Sequence, residues 1–204
     1  MRLVIEGTLD DSDTPVHVEA AAGEWIVVEH PDPDAVVAAV GGVRPGHLRI
    51  RLGEQDLSDT GAAGRHDARL CVTGCRLDPL PALRVADVVG LGVRAPQPPL
   101  WQALIGTGRS RALSQDDEAM IRALAGRVGL AGWVDRTAVR LPLKVEALVD
   151  ITRALAGLPL AFVWRRPEWL DPGSLAEINE VVTAEQQQSG FAVLEFTRRG
   201  GAER

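Results

Sequence analysis

The chain has 204 residues, 46% of them hydrophobic and 25% charged, with a formal net charge of -6. That length suits one sizeable core, or a core with a subdomain, and the composition excludes disordered and fibrous classes. The negative charge opposes long-range attraction to nucleic acid; with no apolar run near the roughly 20 residues of a membrane span, and Met1-Arg-Leu-Val-Ile-Glu6 too short and too soon charged for a signal peptide, the expected location is the cytosol.

Arg2 to Leu9 and Val16 to Ala20 gather β-favouring residues around the turn-rich Asp10 to Pro15, which predicts two antiparallel strands. Gly23 to Glu29 reads as a buried strand. His30-Pro-Asp-Pro-Asp34 then supplies a turn and a helix start, and Ala35 to Val40 a short apolar helix stopped by Gly41 and Gly42. Strand, loop and helix in that order is the layout of a phosphate loop. Leu48 to Leu52 alternates with period two, as in a strand with one exposed face, and Ala68 to Thr73 is a further strand. Cys71 and Cys75 form a CxxxC pair without ligands nearby and read as reduced structural thiols. His17, His30, His47 and His66 lack ligand spacing and read as surface histidines.

Helices dominate the middle third. Pro96 to Pro99 breaks any helix, and Ser114 caps one beginning at Gln115, with Met120, Ile121, Leu124, Val128 and Leu130 at helical spacing. Leu160 to Val163 is an apolar strand running into Trp164-Arg165. Pro172 to Glu185 reads as an amphipathic helix with Ser174 as cap and Glu177 completing a capping box, and Phe191 to Thr197 closes as a strand. Alternating strands and helices predict an α/β core with a mostly parallel sheet, joined by an antiparallel part at the start and a helical part in the middle. Neither a repeat nor a linker divides the chain, so a single domain over 1–204 is expected, its tail from Arg198 frayed.

Leu141-Pro-Leu-Lys-Val-Glu-Ala-Leu-Val-Asp-Ile-Thr-Arg-Ala-Leu155 is similar in length, spacing and apolar pattern to the signature segment and helix of ABC-transporter ATPases, particularly the branched-chain amino-acid importer type. Ala156-Gly-Leu-Pro159 resembles the link into their Walker B strand, and Leu170-Asp171-Pro172 their D-loop. Leu48 to Leu52 resembles the short strand after the Walker A helix, and Pro79 to Val89 the passage from Q-loop to helical subdomain. The resemblance implies a P-loop NTPase-like ABC ATPase fold with a helical subdomain over about residues 80–158.

It also implies what each site position has lost. A Walker A loop uses glycine amides, a lysine and a hydroxyl to hold phosphates and magnesium. Here Asp32 falls near the lysine position and Pro33 near the hydroxyl, in a loop several residues short. Asp32 and Asp34 repel a triphosphate, and Pro31 and Pro33 lack amide donors. Trp164-Arg165 stands where Walker B carries Asp-Glu; an indole only donates and a guanidinium stays protonated, so neither can support a metal or activate water. The Q-loop glutamine maps near Cys75 and the switch histidine to Arg198. With no tyrosine in the chain, adenine stacking would fall to Trp25 or His17. Lys144, the one lysine, replaces the signature glycine; it either brings positive charge to a partner-bound γ-phosphate or sits solvated at a helix start.

These replacements imply no catalytic, cofactor-binding or metal-binding residue. They point to a pseudo-ATPase with a structural or regulatory role, paired with an intact ABC ATPase subunit, a membrane permease or both, and peripheral at the inner face of the cell membrane. A permease would touch the region from Cys75 to Val89. Two alternatives stay open: a divergent transport ATPase using Asp32, Glu168 or Asp171 as replacement acids, and a stand-alone interaction domain on the same scaffold.

Overall fold

The computed structural model describes residues 1–10, 12–44, 46–74, 83–93 and 114–199. Strand β1 (Arg2–Leu9) pairs antiparallel with β2 (Ser12–Ala21) and with β4 (His47–Leu52), which turns back into β5 (Gln55–Asp56). Much of the stretch read as a turn is strand, because the reversal is confined between the paired Leu9 and Ser12. β4 alternates exposed and buried residues along its whole length, as its period-two sequence predicts.

A second sheet is parallel throughout, in the order β3 (Trp25–His30), β8 (Ala192–Arg198), β7 (Ala161–Arg165), β6 (Leu70–Thr73). β7 is central and buried at every position, the environment an unbroken apolar strand requires. Successive side chains point to opposite faces. Phe162, Trp164 and Val193 enter one core with the helices, while Val163, Leu194 and Phe196 enter another with the antiparallel sheet and helix α1 (Pro33–Val40). β3 differs from its expectation: it is an edge strand among the described residues, and its Val27, which joins neither core, is 53% exposed.

Helix α2 (Ala62–Asp67) has no counterpart in the sequence reading, since Ala-Ala-Gly-Arg-His-Asp carries no apolar period. Its Arg65 is buried and reaches the last turn of α1, donating from Nη1 to the carbonyls of Ala39 and Val40, the latter at 2.9 Å, and from Nη2 to Ser58 O at 3.2 Å. A cation on the carbonyl end of α1 suits the helix dipole, and burial lowers the guanidinium pKa from its usual value.

Helices α3 (Val85–Gly90), α4 (Gln115–Arg127) and α5 (Leu143–Ala156) share a core with Phe162 and Trp164. Ser114 caps α4 reciprocally with Asp117, as expected. Helix α6 (Pro172–Ser189) runs beyond Glu185, and its cap is Asp171, whose Oδ1 accepts from Ser174 N at 2.9 Å; Ser174 lies inside the helix. Pro172 follows the cap at the first helical position, where a missing N–H is harmless. Cys75, Pro79 to Ala82 and the Pro96 to Pro99 cluster lie outside the described residues.

Candidate functional site

The C-terminal ends of parallel strands in an open α/β sheet are where ligands ordinarily bind. At the end of β3 only Pro31 and Asp32 separate His30 from the start of α1. Asp32 N donates to His30 Nδ1 at 3.0 Å, and Asp32 Oδ1 accepts from Ala35 N at 3.0 Å. One amide of the first helical turn is thus taken by the chain's own carboxylate, and the prolines on either side of Asp32 offer none. His30 is not a surface histidine: it is 2% exposed, and its Nε2 is buried without a partner.

At the end of β7, Arg165 is buried and its guanidinium is fully engaged. Nε donates to Asp34 Oδ1 at 3.1 Å, Nη1 to Glu168 Oε1 at 3.1 Å and to Arg166 O at 2.7 Å, and Nη2 lies 3.0 Å from Glu168 Oε2. Arg198, at the end of β8, completes the network: its backbone N donates to Glu168 Oε1 at 2.9 Å, and its side chain lies 3.6 Å from Asp34 Oδ2. The hydrogen bond from Arg165 leads the causes that hold the Glu168 carboxyl below its usual range. Asp34, Arg165, Glu168 and Arg198 therefore form one ionic clamp tying α1 to the ends of two strands. Only the adjacency of Arg165 and Glu168 was visible in the sequence; Asp34 is brought in by the fold.

Behind the clamp lies an aromatic layer. Trp164 is 1% exposed, stacks on Phe162 at 6.4 Å between centroids, and meets Trp25 edge-on at 6.2 Å. Trp25 Nε1 donates to Glu195 Oε2 at 3.0 Å, whereas Trp164 Nε1 is buried and unpartnered. Glu195 is itself buried, 3.4 Å from Arg166, and burial pushes its carboxyl pKa upward. Trp25 is thus packed inward, while His17 is exposed beside Glu6 on the antiparallel sheet. The two residues expected as adenine-stacking candidates are not brought together with the clamp.

Asp150 of α5 closes the end of β6, accepting from the Thr73 hydroxyl and from Gly74 N at 2.9 Å while pairing with Arg153 at 2.8 Å. Gly74 has φ 95°, and a Cβ there would meet Arg165 Cβ at 2.5 Å, so this crossing requires glycine. Between α1, α3, α5 and the ends of β6 and β7 opens a cleft of about 900 Å³. Lys144 does not stand free at its helix start; it pairs with Glu177 of α6, a residue expected to serve in a capping box. Asp171 is occupied as the α6 cap, and Cys71 is buried outside any disulfide. Among the described residues, no group of three or more His, Cys, Asp and Glu side chains could hold a metal ion, and no helix is long and apolar enough to cross a membrane.

No family model matches this chain, and no curated protein does. Solved structures do. A nucleotide-free ATP-binding cassette from an ABC transporter superposes with a TM-score of 0.75 at 18% identity, covering 98% of this chain and 82% of that one. The ADP conformation of MJ1267, an ATP-binding cassette of an ABC transporter, gives a TM-score of 0.77 at 19% identity over the same shares. A second MJ1267 structure gives 0.77 at 18% identity, over 97% of this chain and 81% of that one. The mixed α/β arrangement with its helical region is the ABC-ATPase-like P-loop NTPase fold.

Proposed function

We propose that this chain is a catalytically inactive ABC ATPase-like subunit, of the branched-chain amino-acid importer type, with a structural or regulatory role in a membrane-transporter complex. The observation that carries the reading is the Arg165 clamp. A buried guanidinium and two carboxylates of the chain itself fill the strand-end position where this fold would need acids facing a metal and a triphosphate. The residues present do not fit that ligand: Asp32 and Asp34 would face its phosphates at close range, and no acid of the local set is free to orient a magnesium ion. Of the replacement acids an active relative would need, Glu168 is held by Arg165 and Arg198, Asp171 caps α6, and Asp32 caps α1. This favours the inactive subunit over a divergent ATPase.

Such a subunit sits in the cytoplasm at the inner face of the membrane, beside an intact ATPase subunit, a permease or both, with 1–204 as one unit and the helical part over about 80–158 facing the permease near Cys75 to Val89. The test is nucleotide binding and turnover by the purified full chain. Neither should exceed background with magnesium and ATP; micromolar binding with hydrolysis by the protein alone would sink the reading. Co-purification with a permease separates the subunit from a stand-alone interaction domain.

A further inference from the structure

We propose that the cleft beside the clamp binds an uncharged, largely apolar small molecule that carries a hydrogen-bond acceptor, such as a planar ketone or amide. Its volume of about 900 Å³ lies within the range of small-molecule sites, and Ala35, Ala38, Val88, Ala147 and Val149 make much of its wall. The charges around it cancel within the protein. Arg165 and Arg198 are matched by Asp34 and Glu168, Arg166 by Glu195, and Asp150 by Arg153, while Asp32 caps α1 and Arg44, also on the lining, is engaged within the chain. At the exposed mouth, Arg140 and Glu146 contribute one charge of each sign. A net-charged ligand would lose its hydration without finding an unmatched counter-ion, whereas a neutral apolar one incurs no such penalty.

Trp164 supplies the demand for an acceptor. It lines the cleft, is 1% exposed, and its indole N–H has no partner, an arrangement that proteins seldom leave unrelieved. The nitrogen is itself buried, so a carbonyl on the occupant would accept that hydrogen bond once a neighbouring side chain changes rotamer, a common adjustment on binding. Trp169, 44% exposed on the same lining, offers a flat apolar surface toward solvent that suits a planar molecule. Arg140 is held at φ 56°, a left-handed conformation uncommon for a residue with a side chain and one that gathers at ligand sites.

The probe is prodan, an uncharged naphthyl ketone whose emission moves to the blue in apolar surroundings, titrated into the purified full chain and followed by energy transfer from tryptophan. One saturable site is expected. Ala38→Trp, which fills the cleft, should abolish binding, with Ala138→Trp as a second filling variant should the first not fold. Trp164→Phe keeps the ring and removes the donor, and should weaken binding about 5- to 10-fold. Trp25→Phe alters the same aromatic layer away from the cleft and should change affinity by less than about twofold. The anionic dye anilinonaphthalene sulfonate should bind at least about tenfold more weakly than prodan. Non-saturable binding, or prodan affinity unchanged in the folded filling variants, overturns the site. Equal loss in Trp25→Phe and Trp164→Phe overturns the acceptor, and equal affinity for the sulfonate overturns the uncharged class. Nucleotide turnover is read separately, so either reading can fail alone.

Discussion

Arg165 shows how one buried side chain can tie the start of a helix to the ends of two strands. Replacing it with methionine keeps much of the volume and removes every donor of the clamp. Asp34 is 57% and Glu168 36% exposed at the side chain, so both carboxylates can return to water, and the loss stays below the 3–5 kcal/mol typical of breaking a fully buried pair. We expect Arg165→Met to lower unfolding free energy by about 1–3 kcal/mol in urea titration, and Arg165→Lys to recover only part, because an ammonium cannot reproduce the guanidinium fork.

Two glutamates nearby, the exposed Glu168 and the buried Glu195, should titrate in opposite senses. Glu168, its pKa depressed chiefly by the hydrogen bond from Arg165, stabilises the fold at neutral pH; that contribution is lost as pH falls from the ordinary glutamate range through the folded value. Glu195, its pKa raised chiefly by burial, favours the fold most below the unfolded value and loses that contribution as pH rises through the folded one. Urea midpoints measured from acid to neutral pH should therefore show Glu168→Gln converging on the wild type in acid, and Glu195→Gln gaining on it as pH rises. Profiles parallel to the wild type in both variants would contradict these assignments.

At the scale of elements, the α6 cap separates two readings of one sequence. Ser174 with Glu177 satisfies the capping-box spacing, yet the chain enters the helix earlier, at Pro172, and Asp171 accepts the amide of Ser174. Asp171→Ala should lower Tm by about 2–4 °C and Ser174→Ala by less than about 1 °C, read by circular dichroism. Both patterns were present in the residues; what decided between them was where the preceding loop turns, which depends on Arg165 and Glu168. Elements whose environment is implied by their own composition were legible in the same way as β7, where an unbroken apolar run demands cover on both faces. β3 has a similar run, but it lies at an edge of the sheet, where among the described residues only β8 pairs with it. α2 could not be read because Arg65 acts at long range, on the end of α1, rather than through a periodic apolar face. The clamp was legible only as a loss, in Trp164-Arg165; its partner Asp34 lies 131 residues away in sequence from Arg165, and no local pattern links them.

For the molecule as a whole, the central parallel sheet joins two cores. Phe162 and Trp164 belong to the helical side, and Ala161 and Val163, their neighbours in the same strand, to the side with the antiparallel sheet. Loss of one face of β7 should undermine the other, so Phe162→Ala, which empties a fully buried site, should cost about 3–5 kcal/mol while leaving one cooperative transition, coincident by tryptophan fluorescence and circular dichroism. The same global stability offers the sharpest test of the inactive reading. A ligand bound only by the folded state stabilises it by about 2.7 kcal/mol at a hundred times its Kd, which for a chain of this size raises Tm by roughly 5–11 °C. The clamp already supplies, from within the chain, the bridge between α1 and the ends of β7 and β8. Magnesium with ATP or ADP at millimolar concentration should then move Tm by less than about 1 °C. A shift of several degrees in the wild type would mean that nucleotide still competes with Asp34 and Glu168 for Arg165. If the shift appeared only in Arg165→Met, the clamp itself would be what keeps nucleotide out.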